Sequence, residues 1–142
     1  MTKKVLTEIS VGELLDKISI LEIKLKNISN KNKLNHIKKE YKILNKIKKK
    51  FKLQRIIATY YRQLKKINIT LWNIENKVRK HEEFKKFNKD FIALARKVYF
   101  TNDKRSKIKL KINEITKSNI IEMKSYSDYN KWNPPKKSLY KL

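Results

Sequence analysis

Cysteine is absent from the chain, which rules out both a disulfide framework and a thiolate metal site. Glycine occurs once, at Gly12, so a glycine-rich phosphate loop cannot be built and the common nucleotide cradles are excluded. Proline is confined to Pro134 and Pro135, which leaves everything before them free of the strongest helix breaker. No uninterrupted apolar run approaches the roughly 20 residues that a membrane span requires, and the beginning, MTKKVLTEIS, has charge but no apolar stretch of the secretory type. A cytoplasmic protein without a membrane span is the expectation. Acidic residues are also scarce, 13 against 38 Lys and Arg, for a formal net charge of +25.

What is present is mostly lysine, isoleucine and asparagine, the composition that codons rich in A and T produce, so part of the charge is compositional. Its distribution is more informative. Residues 1–30 hold five basic and four acidic groups, whereas residues 31–55 hold eleven basic groups and Glu40 alone. Lys38, Lys39, Lys42, Lys46, Lys48, Lys49, Lys50 and Lys52 therefore form a patch dense enough to attract nucleic acid or another polyanion, although a solvated face is the simpler reading.

The 142 residues suit one domain, which at this size buries roughly two-thirds of its unfolded surface. Helix is the default from Ser10 to about Thr116. Ser10 and Glu13 make a capping box that predicts a helix start at Val11, followed by Val11, Leu14, Ile18, Leu21, Leu25 and Ile28 at three-four spacing. After the turn-like SNKN at 29–32, a second stripe runs through Leu34, Ile37, Tyr41, Leu44, Ile47 and Phe51. A third runs through Leu53, Ile57, Tyr60, Leu64, Ile67, Leu71, Ile74 and Val78, with a turn expected between the two near 48–53. A fourth helix spans about Asn88 to Thr116. At about 1.5 Å per residue the two long helices reach roughly 40 Å. The expected fold is an all-α, elongated antiparallel four-helix bundle over 1–126, with an extended, basic, proline-containing tail over 127–142.

The third helix carries a second line of residues, Asn68, Trp72, Glu75, Arg79 and Glu82, about 100° from its apolar seam. Polar residues at such regular spacing call for a polar neighbour. The fourth helix supplies one, because Arg96, Tyr99, Asp103 and Ser106 share a face with Asn102 and Arg105 beside it. A short turn near Lys86 would bring level those residues whose numbers sum to roughly 172, setting Glu75 against Arg96, Trp72 against Tyr99 and Asn68 against Asp103. Two readings follow. Glu75, Arg79, Arg96, Asp103 and Arg105 form a buried ion network that fixes helix register, the leading reading, or they floor an anion or sugar site. Three of the five arginines lie here, where a planar bidentate fork serves and lysine would not. Arg105, Asn102 and Asp103 should meet the start of the first helix, where the capping-box amides and Gly12 could complete an anion site.

Other candidates are weaker. His36 and His81 are the only histidines and stand far apart, so neither a metal nor a cofactor is expected. Glu13, Asp16 and Glu22 could be paired for acid–base work, but on a helix facing a basic chain they read first as salt-bridge partners.

The stretches EISVGELLDKISILEIKLKNI at 8–28, LWNIENKVRKHE at 71–82 and LARKVYFTNDKRSKIKLKIN at 94–113, with IIEMKSY at 120–126, resemble those of an uncharacterised family of small bacterial proteins, a domain of unknown function. The resemblance runs to Tyr126 and marks as motif positions Gly12, Glu13, Leu14, Asp16, Lys17, Glu22, Trp72, Glu75, Arg79, Arg96, Tyr99, Asn102, Asp103, Arg105, Asn113, Glu122, Lys124 and Tyr126. It implies a loose link to cell-surface carbohydrate loci and no reaction.

The expected function is a ligand-binding or accessory helical module in carbohydrate or cell-envelope metabolism, with candidate site residues Glu13, Asp16, Trp72, Glu75, Arg79, Arg96, Tyr99, Asn102, Asp103 and Arg105. Nucleic-acid or polyanion binding through residues 31–55 is the alternative. An enzyme comes third, since no nucleophile, metal set or cofactor loop is visible.

Overall fold

Ser10 opens the helical part of the chain by accepting a hydrogen bond from the Glu13 amide at 3.1 Å, and α1 runs from Val11 to Asn27. The computed structural model describes residues 1–52 and 55–131. Asn30 caps α2, Lys31–Lys49, by accepting from the Lys33 amide at 3.0 Å, one residue into the stretch expected to be a turn. The chain breaks at Lys50 and Phe51, and α3 occupies Arg55–Glu83. Leu53, expected to begin the third stripe, lies outside the described residues. Asn88 caps α4, Lys89–Ile115, through the Phe91 amide at 3.1 Å. The architecture is an all-α bundle of four helices, the last two the longest, as the spacing predicts.

The helices are not equivalent. α1 packs against all three others, α3 and α4 make the most extensive pair, and α2 packs its backbone only against α1. The cause lies in α1 itself. Its buried residues, Leu14, Leu15, Asp16, Ile18, Ser19, Leu21 and Ile23, occupy well over half of its circumference, far more than the single stripe read from spacing, and such a helix needs neighbours on several sides. Leu15, Ile57, Leu64 and Ile112 form the centre of the core, with Tyr60, Tyr61 and Ile108 against it. α2 contributes one buried residue, Ile37, and the end of its expected core stripe, Ile47 and Phe51, is exposed.

Two local devices set the ends of α4. Before it, Lys85 adopts φ 53° and the Lys86 amide donates to the His81 carbonyl at 2.9 Å, turning the chain back on α3. After it, Lys117 adopts φ 52° and the Ser118 amide donates to the Asn113 carbonyl at 2.9 Å, a left-handed C-terminal cap made without glycine. The chain then runs without regular structure to a short 3-10 turn at Tyr129–Lys131. The rest of the expected tail, with Trp132 and both prolines, lies outside the described residues. Among the described residues no helix is long and apolar enough to cross a membrane.

Candidate functional site

Asp16 is a carboxylate in the middle of α1 with 1% of its surface exposed, and it must therefore be satisfied from the protein. Arg105 on α4 donates from Nε to Oδ1 at 3.0 Å and from Nη2 to Oδ2. Asn68 on α3 donates to Oδ1 at 2.8 Å and also to Ser19 Oγ at 2.8 Å, while Ser19 donates to the Asp16 carbonyl at 2.8 Å. Lys109 Nζ stands 3.6 Å from Oδ2. Burial raises the Asp16 pKa, but the hydrogen bonds from Arg105 and Asn68 and the charges of Arg105 and Lys109 outweigh it, so the carboxyl lies below its ordinary value. Arg105 is raised in turn, chiefly by its hydrogen bonds to Asp16. One carboxylate thereby ties three helices together.

The polar system continues outward. Lys109 donates to Glu13 Oε2 at 2.6 Å and lies 3.6 Å from Glu122, which pairs with Lys124. The hydrogen bond from Lys124, more than the charges around it, holds the Glu122 carboxyl below its usual range. One turn further along α4, Asn113 Oδ1 accepts from the Gly12 amide at 2.7 Å, and a Cβ on Gly12 would stand 2.7 Å from the Lys109 carbonyl oxygen. Glycine is required there because α1 and α4 touch backbone to backbone.

Between α4 and the segment after it lies an open cleft of about 760 Å³. Its floor carries Asn102, Asp103, Arg105, Ser106 and Lys109, its rim Glu13, Glu122 and Lys124, and its wall Tyr99, Tyr126 and Tyr129. Tyr129 donates its hydroxyl to Asp103 and packs against the rings of Tyr99 and Phe100 at 5.8 and 5.3 Å, which holds the chain over the cleft. Three acids and three bases line it, in a chain whose bases outnumber its acids almost threefold. Each base is already ion-paired: Arg105 with Asp16, Lys109 with Glu13, Lys124 with Glu122. The Ser106 hydroxyl, the Asn102 amide nitrogen and the Tyr126 hydroxyl have no hydrogen-bond partner among the described residues.

A second cleft, about 380 Å³, lies across Arg105 and Asn102 and is lined by Trp72, Glu75, Asn76 and Arg79 of α3 with Ile20 and Ile23 of α1. The ten candidate residues are thus split, with Arg96 at neither cleft. Glu13, Tyr99, Asp103, Asn102 and Arg105 meet at the first cleft, Trp72, Glu75 and Arg79 at the second, Asn102 and Arg105 divide the two, and Asp16 lies buried behind Arg105.

Several expected pairings fail. Glu75 pairs with Arg79 on its own helix rather than with Arg96, which is exposed and sits 5.5 Å from the Phe100 ring centroid. Trp72 and Tyr99 line different clefts, and Asn68 bonds Asp16 instead of Asp103. The buried ion network exists, but it is built on Asp16 of α1 and not on Glu75, Arg79, Arg96 and Asp103. The anion site expected at the start of α1 is closed, because the Val11, Gly12 and Glu13 amides donate to Ser118 Oγ, Asn113 Oδ1 and Ser10 Oγ. The salt-bridge role expected of Glu13, Asp16 and Glu22 on a helix facing a basic chain is what they have; the last is held by Lys65 at 2.8 Å and by the Tyr61 hydroxyl. Of the lysines singled out, Lys38, Lys39, Lys42, Lys46, Lys49, Lys50 and Lys52 are exposed, and Lys48 leans over the Tyr61 ring at 4.4 Å. Lys109 and Tyr129 line the first cleft without having been singled out, and Glu122, Lys124 and Tyr126, marked only as motif positions, line it too. Lys109 was hidden among 33 lysines, though its position four residues after Arg105 placed it on the same face.

Among the described residues no group of three or more His, Asp and Glu is placed to hold a metal ion. No curated protein and no solved structure matches the chain. A family model, described as a family of unknown function (DUF6165), matches residues 4–140, which takes in all four helices and the segment that lines the cleft. The chain belongs to that family.

Proposed function

We propose that the protein is a carbohydrate-binding module that takes a small, uncharged, polyhydroxylated ligand in the cleft between α4 and the segment after it. One observation carries the reading: the cleft combines a tyrosine wall with unpartnered hydroxyl and amide groups and mutually neutralised charges. Sugars present apolar ring faces that pack on aromatic rings, and hydroxyls that both donate and accept. Asp103, Glu122 and Glu13 accept from such hydroxyls, while Asn102, Ser106 and Lys124 donate to them. A simple anion is less well served, since it would have to compete with Asp16, Glu13 and Glu122 for every base in the cleft. The sugar reading agrees with the carbohydrate-locus link that the motifs imply.

Saturation-transfer NMR with a panel of neutral hexoses and N-acetylhexosamines tests the proposal, with inorganic phosphate as the competing probe. The expected result is transfer to at least one sugar that phosphate does not displace and that Asn102→Ala with Tyr126→Ala removes. Displacement by phosphate, or no transfer to any sugar, overturns it.

A further inference from the structure

The outer side of α2 takes no part in the cleft. The α2 backbone packs only against α1, with Lys48 reaching over the Tyr61 ring of α3, so most of the α2 circumference among the described residues faces solvent. Lys38, Lys42, Lys46 and Lys49 follow one another at four, four and three residues and form a continuous exposed band. Beside that band Ile43 and Ile47 stand four residues apart, 53% and 40% exposed, and Phe51, 50% exposed, follows them in the bend just after the helix. Single exposed apolar residues, such as Ile69 on α3, need no explanation, but three in a row next to a cationic band do. Phe51 also forms a wall of an open cleft of about 630 Å³ at the end of the bundle, with Ile9, Val11 and Ile115, so the apolar surface continues past the helix.

We infer that this face is a docking surface for an anionic lipid bilayer, with α2 lying in the plane of the interface. The lysine band meets the negative headgroups and the Ile43–Ile47–Phe51 line enters the boundary of the acyl region. The apolar line decides between partners. Nucleic acid would use the lysines and leave three apolar side chains in water, whereas a bilayer surface uses both. A second copy of the chain is opposed by charge, since residues 31–55 hold eleven bases and one acid and would face the same set. The inference is independent of what the sugar cleft binds.

Co-sedimentation of the full chain with phosphatidylcholine vesicles, with and without phosphatidylserine, tests it, with duplex DNA as a parallel probe. Two double variants at exposed positions are compared with the parent: Lys42→Gln with Lys46→Gln, and Ile43→Ser with Ile47→Ser. The parent should bind only the phosphatidylserine vesicles. The lysine variant should bind them roughly 25-fold more weakly, about fivefold for each lysine removed. The isoleucine variant should lose at least fivefold on vesicles and leave any DNA affinity unchanged. Equal binding to both kinds of vesicle, no vesicle binding, or an isoleucine variant as tight on vesicles as the parent overturns the inference; binding to DNA alone would make the face a nucleic-acid surface.

Discussion

Arg105 grips the buried carboxylate of Asp16 with two nitrogens, Nε on Oδ1 and Nη2 on Oδ2, while its third, Nη1, turns outward to Asn102 at 3.5 Å. The same side chain therefore locks α4 to α1 and separates the two clefts. Removing it should leave Asp16 with Asn68 and a more distant Lys109. Arg105→Met is expected to cost about 3 kcal/mol, the lower end for an ion pair broken from one side, because those two partners remain. Adding Asp16→Asn should recover more than half of the loss, since an amide oxygen still accepts from Asn68 and the Ser19 hydroxyl keeps its bond to the backbone carbonyl of residue 16. Thermal or urea melts of the single and double variants check both statements.

Arg96 provides the contrast. Its guanidinium is exposed and faces the Phe100 ring rather than an acid, so Arg96→Met should change stability by no more than about 0.5 kcal/mol. A loss of several kcal/mol in the same melts would mean that Arg96 holds a buried partner after all.

Gly12→Ala sets two effects of opposite sign against each other. Alanine favours helix over glycine by about 1 kcal/mol. The new methyl would meet the Lys109 carbonyl oxygen at 2.7 Å and Asn113 Oδ1 at 2.8 Å, and backbone cannot step aside cheaply. Overpacking of this kind costs roughly 1–3 kcal/mol, and the hydrogen bond from the Gly12 amide to Asn113 is also strained, so the net change is a loss. A lowered melting temperature is the expected readout.

The acid limb of stability should report Asp16. Its pKa is lowered in the folded state from an ordinary 3.8, so its stabilisation is complete above that value and is lost as the pH falls through the lower, folded one. Glu22, lowered by Lys65 and Tyr61 against its burial, adds a loss of the same sign. Urea midpoints of the parent should therefore fall steeply below about pH 4. The Asp16→Asn variant should start less stable and fall less steeply.

Helix positions were legible in the sequence because their causes are local. Ser10, Asn30 and Asn88 cap the helices they precede, and three-four spacing marks which side of α3 is buried. Which helices meet is not local. The spacing of Asn68, Trp72 and Glu75 defines a line on α3 but not its rotation about its own axis, and a modest rotation gives Asn68 to α1 rather than α4. Asp16 and Ser19 lie off the apolar stripe of α1, so the breadth of its buried surface was missed, and with it the partner of Arg105. The polar middle of α4 is polar because it answers Asp16 on one side and lines the cleft on the other. The tyrosine wall depended on residues 120–131 folding back over α4, which no periodicity records.

The central claim concerns one place, the cleft floored by Asn102, Ser106 and Lys109. Amide chemical-shift mapping of the full chain during titration with a neutral sugar selected from the panel tests it most directly. The account predicts saturable shifts confined to α4 around residues 98–109 and to the segment around 122–129, with α2 unmoved and with inorganic phosphate giving none of them. Shifts centred on Trp72 and Arg79, or the same pattern from phosphate alone, would contradict it.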